Sequence, residues 1–250
     1  MKSLINLLVL IISVWCSLVS AEEPKLRIVT ADEPPFQYLN SGEERGYSMV
    51  IMKDALKNSG LDKIRIEFLP WARAYNTALN EKNILFFSVS KTKAREKLFN
   101  WCCKVFKMKY YLFKLKENNA VKIASLDDAK NYRTSVWIQD IKHQFLMEKG
   151  FTKFYTVRND IQSLKMLLAK RVDIIPFNML SVRYYMSQLN QDYSLLATAF
   201  ELKEMETNTY FVFSNSTNKE VVEQFVKGFN QTINSDIYLN IETLYDKKNI

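Results

Sequence analysis

Few side chains in this 250-residue sequence are of the types that bond-making chemistry usually needs. His143 is the only histidine, which argues against histidine-based metal sites and against Ser-His or Cys-His nucleophiles. No GxGxxG, Walker or GxSxG pattern occurs, and five glycines leave little material for a phosphate cradle. On these grounds no catalytic residue, metal ligand or cofactor is assigned. Glu33 and Asp140 are carboxylates in predicted loops, the candidates for a general acid or base if there were one. Cys102 and Cys103 are adjacent. Neighbouring Cα atoms sit about 3.8 Å apart across a trans peptide, below the usual disulfide range. Free thiols, a strained vicinal ring, or a metal or intermolecular role all remain open for the pair. Between residues 91 and 109 seven basic residues, among them Lys91, Arg95, Lys104 and Lys109, face a single acid, Glu96. Such a run reads as a solvated face.

The elements that must carry these residues follow from periodicity. Residues 25–30 alternate as a strand, stopped by Pro34-Pro35. Gly46 opens a helical stretch that Gly60 closes. Residues 64–68 read as a strand, Pro70 starts a helix over 71–79, and 84–89 reads as a buried strand. This β-α-β-α-β order predicts a parallel sheet with helices on its faces. The middle of the chain repeats it. Strands are predicted at 133–138, 154–157 and 172–177, with helices capped by Asp140 and Asp160 between them. An extended aromatic segment, 106–115, joins the two units, and a strand at 209–213 and an amphipathic helix from 221 to 233 follow. The fold class is therefore α/β: two lobes, each an open, mostly parallel sheet flanked by helices, hinged by two crossover segments. The expected boundaries are 1–21 as a leader, 22–110 with 205–250 as lobe one, and 111–204 as lobe two. Ligands in such sheets sit beyond the carboxyl ends of the strands, which singles out the loops 31–38, 88–95, 138–142 and 177–180.

Lys2 precedes a nearly unbroken apolar run from 4 to 19, and Val19-Ser20-Ala21 ends it before an acidic start. This is the layout of a signal peptide cut after Ala21, and the run is short for a membrane span. The Trp15-Cys16 pair does not fit a lipoprotein signal, which needs a small residue before the cysteine. The mature chain is expected to be exported, to the periplasm of a bacterium. With 48% hydrophobic and 25% charged residues it is ordinary globular material, not a disordered or low-complexity chain. A net charge of +8 favours anionic ligands or surfaces; export and the lack of interleaved aromatics argue against nucleic acid.

Taken in order, several short motifs resemble the family 3 bacterial extracellular solute-binding proteins, the polar amino-acid-binding proteins of ABC importers. They are Ile28-Val29-Thr30, Pro34-Pro35-Phe36, Gly46-Tyr47, Asn83, Thr92-Lys93-Ala94-Arg95, Phe99-Asn100-Trp101 and Arg171-Val172-Asp173. Pro70-Trp71-Ala72-Arg73-Ala74 further resembles one branch of that family. The resemblance implies a two-lobed periplasmic-binding-protein fold of type II and a small polar solute held between the lobes. It implies that Arg95 holds a ligand carboxylate as a bidentate pair, which a guanidinium suits better than an ammonium. Ser88, Ser90 and Thr92 would add donors, and Phe36, Tyr38 and Trp71 would wall the cleft. Arg73 would sit at its mouth, and Trp137, Asp140 and Asn178 would complete the site from lobe two.

Some positions depart from the family pattern. The acidic residue that pairs with a ligand's α-ammonium falls at Asn178, which can accept a hydrogen bond but cannot neutralise a cation. The glycine-hydroxyl pair that starts a lobe-two helix becomes Gln139-Asp140, an aspartate of the first helix becomes Val50, and a Gly-Pro becomes Cys103-Lys104. The ligand is thus open among an α-amino acid, a carboxylate lacking an ammonium, and a peptide-like or aromatic compound. The leading expectation is a monomeric solute-binding protein, not an enzyme, that docks on the permease of an ABC importer. The alternatives are a sensory protein with a separate membrane partner and a dehydratase-like enzyme on the same scaffold, since fold does not fix function.

Overall fold

A computed structural model describes residues 25–241. The expected leader, with its cut after Ala21 and Cys16, lies outside the described residues. The first sheet has five strands in the order β4-β1-β5-β12-β6. These are β1 (Arg27–Thr30), β4 (Ile66–Phe68), β5 (Ile84–Ser90), β6 (Phe99–Met108) and β12 (Thr207–Ser214). β1 runs parallel to β4 and to β5, while β12 runs antiparallel to β5 and β6. The parallel part is therefore the half built by the β-α-β-α-β segment; β12 alone runs the other way, inserted between β5 and β6, which share the direction of β1. A short hairpin, β2 (Tyr38–Asn40) with β3 (Glu43–Arg45), follows β1.

Helices α1 (Tyr47–Asn58), α2 (Trp71–Asn80) and α7 (Lys219–Thr232) flank this sheet. α7 is amphipathic, and its Phe225 and Phe229 pack on Phe211 of β12 with ring centroids 6.4 and 5.7 Å apart. Beside them Gly228 lets α7 approach α1: a Cβ there would come within 2.7 Å of the Ala55 carbonyl oxygen. This packing joins the C-terminal part of the chain to the N-terminal sheet.

The second sheet carries β10 (Ile175–Phe177), β7 (Tyr111–Leu115) and β11 (Leu196–Glu201), paired antiparallel in that order. β8 (Thr134–Trp137) and β9 (Phe154–Val157) pair in parallel, and the bridge between Thr134 and Ile174 ties β8 to the start of β10. Its helices are α3 (Leu126–Ala129), α4 (Ile141–Glu148), α5 (Asp160–Leu168) and α6 (Met179–Gln188). The chain passes between the two sheets twice, between β6 and β7 and between β11 and β12.

Two local expectations are corrected. Asn159, not Asp160, caps α5, its side chain accepting from the Gln162 N–H. Asp160 is the first residue of that helix and is buried. The basic run includes most of β6, an edge strand whose Lys104 and Lys107 face outward while Cys103, Val105 and Phe106 face the core. The register against β12 slips at Cys102, the extra residue of a β-bulge. The bulge brings Cys102 and Cys103 against each other as unlinked thiols.

Gly46 fixes the approach to the first loop. It has φ 117°, a backbone conformation that L side chains rarely adopt. A Cβ there would lie 2.2 Å from the Phe36 carbonyl oxygen. That carbonyl accepts the Ser48 N–H at 2.8 Å and the Pro35 carbonyl accepts the Tyr47 N–H at 3.1 Å, so the first turn of α1 is fastened to the loop. Gly46→Ala is expected to lower stability by about 2 kcal/mol or more, since it combines backbone strain with a clash against main chain. Urea unfolding of the two proteins side by side measures it.

Candidate functional site

The pairing of β1 with both neighbours sets the geometry. Thr30 lies opposite Phe68 and Phe87, so the chain leaves β1, β4 and β5 at one edge of the sheet. There the loop after β1 carries Glu33, the link after β4 leads to Trp71, and the end of β5 and the turn beyond it carry Ser88, Ser90 and Arg95. In the second sheet Trp137 pairs with Val157, so the parallel strands β8 and β9 deliver Asp140 and Asp160 side by side.

These edges face each other. Their side chains enclose a cavity of about 20 Å³, lined by Glu33, Trp71, Ser88, Ser90, Arg95, Tyr110, Trp137, Asp140 and Ile141. The lobes touch around it. The Trp71 indole N–H donates to the Gln139 carbonyl at 3.2 Å, and the Ser181 hydroxyl to the Pro34 carbonyl at 3.3 Å. Trp71 meets Trp137 edge-on at 6.3 Å, and Tyr38 meets Tyr184 at 5.3 Å between ring centroids.

Arg95 is the unusual member. It is 1% exposed, yet among the described residues its Nε and Nη2 have no hydrogen-bond partner. Those two N–H groups form one edge of the guanidinium, the fork that receives a carboxylate in a bidentate pair. The turn holding it is tied by Arg95 N–H to the Thr92 carbonyl at 3.0 Å. Its guanidinium carbon lies 5.5 Å from the Trp71 ring centre and 5.2 Å from that of Tyr75, so α2 supplies the aromatic wall. Burial pulls its pKa down, and the Tyr75 hydroxyl and the Asp140 carboxylate oppose that shift. An arginine remains charged through such a shift.

Behind the cavity lies a paired set. Lys142 is 4% exposed; its ammonium pairs with Asp140 and sits 3.2 Å from Asp160. Burial alone would lower the Lys142 pKa, but the two carboxylates hold it well above its ordinary value. Burial pushes Asp160 up to about 6, against the pull of Lys142. Asp140 also caps α4, its Oδ1 accepting from the His143 N–H at 3.0 Å. Glu33 has less support. Gln37 Nε2 reaches its Oε2 at 3.4 Å, and loss of hydration raises its pKa to about 8. A chain of polar contacts runs on from Gln37: Ser88 Oγ lies 3.0 Å from Gln37 Oε1 and 2.8 Å from Ser48 Oγ.

Of the expected site residues, Trp71, Ser88, Ser90, Arg95, Trp137 and Asp140 line the cavity. The others stand elsewhere. Phe36 is a core residue 5.9 Å from Phe106. Tyr38 packs on Tyr184 at the lobe junction, and Arg73 is exposed on α2. Thr92 faces a neighbouring groove of about 320 Å³ on the other side of Ile141. Asn178 caps α6 through Ser181: its Oδ1 accepts the Ser181 N–H at 2.8 Å and its Nδ2 donates to the Ser181 hydroxyl at 2.9 Å. It therefore supports the contact from Ser181 to Pro34 and does not line the cavity, because a helix start needs its oxygen more locally than a ligand does. Tyr110, Ile141 and the buried pair Lys142 and Asp160 were not expected. Only the position of 138–142 in a loop after a strand pointed toward any of them.

No family model matches the chain, and no curated protein matches it. Solved structures do. A histidine kinase sensor domain with similarity to periplasmic binding proteins superposes with a TM-score of 0.75 at 15% identity, over 88% of this chain and 95% of that one. This is the two-lobed periplasmic-binding-protein fold. An ancestral arginine-binding protein bound to arginine has the same fold, with a TM-score of 0.71 and 20% identity over 90% of this chain and 97% of that one. The GluR0 ligand-binding core from Nostoc punctiforme, in complex with L-glutamate, gives 0.68 at 17% identity over 89% and 98%. In a binding-protein fold the cleft between the sheets is where strand ends from both lobes converge, which is where Arg95 lies here.

The raised carboxyls give the fold a pH dependence with a definite sign. A carboxyl whose pKa is higher folded than unfolded stabilises the fold while protonated, and that contribution is lost as pH rises through the folded value. For Glu33 the window runs from the ordinary 4.5 to about 8, and for Asp160 from 3.8 to about 6. The thermal midpoint is therefore expected to fall between pH 5 and 8, with a slope of at most about 1.4 kcal/mol per pH unit for each proton. In Glu33→Gln the part of that fall above pH 6 disappears; scanning calorimetry across the range reads both. Lys142→Met leaves two buried carboxylates without a cation and is expected to lose about 3–5 kcal/mol, measurable by denaturant unfolding at pH 7.

Proposed function

We propose that this chain is an exported solute-binding protein that closes its two lobes on a small polar, carboxylate-bearing, amino-acid-like compound. The observation that carries the reading is the Arg95 fork, buried at the lobe junction with both N–H groups of one edge unpartnered. A buried donor without a partner costs about 1–3 kcal/mol, more when charged, so such a group is worth keeping only where something is to be bound. Trp71 and Tyr75 hold the guanidinium in place from α2 while its Nε and Nη2 stay unpartnered.

On this reading lobe one comprises residues 22–110 and 205–250 and lobe two 111–204, with residues 1–21 removed on export to the periplasm. Arg95 anchors the carboxylate, Ser88 and Ser90 lie beside it, and Trp71 and Trp137 close over it. The Pro-Trp-Ala-Arg-Ala segment then marks a branch of the family 3 solute-binding proteins, acting as a monomer. The neighbours that bind arginine and glutamate support an amino-acid-like ligand. Glu33 and Asp140, the two candidates for acid or base chemistry, both line the cavity, but Asp140 is engaged by Lys142 and by its helix cap. That favours binding over turnover. Delivery to an ABC permease is the partner we favour; the sensor-domain neighbour supports delivery to a membrane sensor as the second reading.

A thermal-shift screen of residues 22–250 against amino acids, dicarboxylates, short peptides and aromatic acids tests the proposal. A compound at 1,000 times its Kd adds about 4 kcal/mol, a rise in Tm of roughly 8–16 °C for a chain of this size. Arg95→Ala is expected to abolish the shift and Arg95→Lys to weaken it strongly, since lysine cannot form the bidentate pair. A hit that survives in Arg95→Ala would sink the reading.

A further inference from the structure

Two carboxyl groups reach the cavity that holds the Arg95 fork, and they are not equivalent. Asp140 has a partner on each oxygen: the His143 N–H on Oδ1 at 3.0 Å, and the Lys142 ammonium on Oδ2. Glu33 has one contact, from the Gln37 amide to Oε2 at 3.4 Å, longer than a normal hydrogen bond. Among the described residues no donor stands against its Oε1. Glu33 is also held in place. Its N–H donates to the Gln37 carbonyl at 2.7 Å, and its own carbonyl accepts from Phe36 at 2.9 Å and Gln37 at 3.2 Å. The loop thus presents this carboxyl on the same side of the sheet as Arg95, from the same lobe.

We infer that Glu33 is the residue that receives a cationic nitrogen of the bound solute, so that the carboxylate and the cation of a zwitterion are both read by the first lobe. This rests on the reading of the cleft as a solute site. It also answers the question raised by position 178, where an acid is expected for the ammonium and an asparagine stands. Asn178 is committed to Ser181 and the start of α6, whereas Glu33 lines the cavity with an oxygen to offer.

The charges around the site agree. Arg95 comes from the turn after β5, Asp140 and Lys142 from the start of α4, and Asp160 from α5; these four sum to zero. Tyr110 between β6 and β7 and Tyr185 on α6 also face Glu33, and burial pushes both phenols up, so they stay neutral. Asp32 is its neighbour in the loop. Glu33 forms no ion pair of its own and shares the attraction of Lys142 with Asp140 and Asp160; loss of hydration, with the repulsion of those two carboxylates, drives its pKa up to about 8. A cationic nitrogen beside it reverses that: the carboxyl gives up its proton to solvent and pairs with the ligand. The cavity then favours zwitterions over carboxylates of the same shape that lack the nitrogen, and rejects dicarboxylates, which place a second anion beside Glu33.

The test uses matched pairs on the mature chain, each differing only in its one cationic nitrogen: L-glutamine against glutaramate, L-glutamate against glutarate, and further amino acids with uncharged side chains against their deaminated counterparts. Titration calorimetry at pH 7 in two buffers of different ionisation enthalpy gives affinity and proton count together. Where an amino acid binds, its deaminated partner is expected to bind about tenfold more weakly or worse. About one proton is released per bound molecule, and affinity climbs by up to about tenfold per pH unit between pH 6 and 7.5. In Glu33→Gln the ammonium preference collapses and the proton release vanishes, while Arg95→Ala removes binding of both members of a pair. Amino acids that bind with no proton release, or equally well in Glu33→Gln, overturn this inference and leave the solute-binding reading standing. Binding of only the deaminated acids overturns it too. If nothing in the panel binds, both readings fall. The proton count comes from the unmutated chain, so a folding defect in the variant does not remove the test.

Discussion

A guanidinium buried at the seam of two lobes with one edge unpartnered is the constraint around which this molecule is arranged. Removing an arginine from water costs several kcal/mol unless its charge and donors are answered. Here the charge is partly answered and the donors on one edge are not. Two aromatic faces from α2 offset some of the lost hydration, and carboxylates across the cleft contribute at longer range. For Arg95 to stay in this position, the strand before it must be rigid. β5 is buried along its whole length, with β1 on one side and β12 on the other. The insertion of a C-terminal strand beside β5 therefore has a purpose beyond topology: it stiffens the base of the turn that carries the arginine.

The second lobe shows the opposite treatment of a buried cation. Lys142 is as enclosed as Arg95, yet two carboxylates take its charge. The parallel pairing of β8 and β9 places those carboxylates at adjacent strand ends, and each sits at the start of a helix, where a negative side chain is favoured. A cation with both neighbours satisfied is a structural element, and a cation with an open fork is an offer to something outside the chain. Burial does not separate the two residues; partner accounting does.

Much of this was legible from pattern. The β-α-β-α-β order, the helices starting at Pro70 and at Asp140, and the strand at 154–157 are local signals, and local signals survive into the structure. The cavity lining was legible in part where strand ends predict it: Ser88, Ser90 and Asp140 follow from the rule about carboxyl ends of strands, while Trp71 and Trp137 came from the resemblance. What could not be read is set by long-range pairing. The antiparallel course of β12 depends on a partner about 120 residues away in sequence, and so does the bulge at Cys102. Phe36 looked like a cleft aromatic because it follows Pro34-Pro35, but the fastening of that loop to α1 turns its ring inward. Asn178 looked like a ligand residue because it follows a strand, and local capping claimed it. Glu33, by contrast, sits in the same loop as Phe36 with its side chain turned the other way, and residue type alone gives no hint of which of the two faces the cleft.

Among the described residues, two side-chain-to-carbonyl hydrogen bonds and two aromatic pairs join the lobes, beside apolar packing that runs from one lobe into the other. Each is worth about 0.5–1.5 kcal/mol net, and their sum is set against the freedom lost when two hinged bodies stop moving. The polar and ring contacts by themselves therefore give closure a modest preference. Shifting such an equilibrium decisively takes about 5 kcal/mol of differential affinity, and the unpartnered polar groups of the cleft are where a solute can supply part of it. The open fork of Arg95 and the under-supported carboxyl of Glu33 both cost free energy when the lobes shut over nothing, and both repay it when a solute answers them. On the proposed reading, such a cleft responds to a ligand because its closed form is incomplete, with part of its polar chemistry left for a solute to complete.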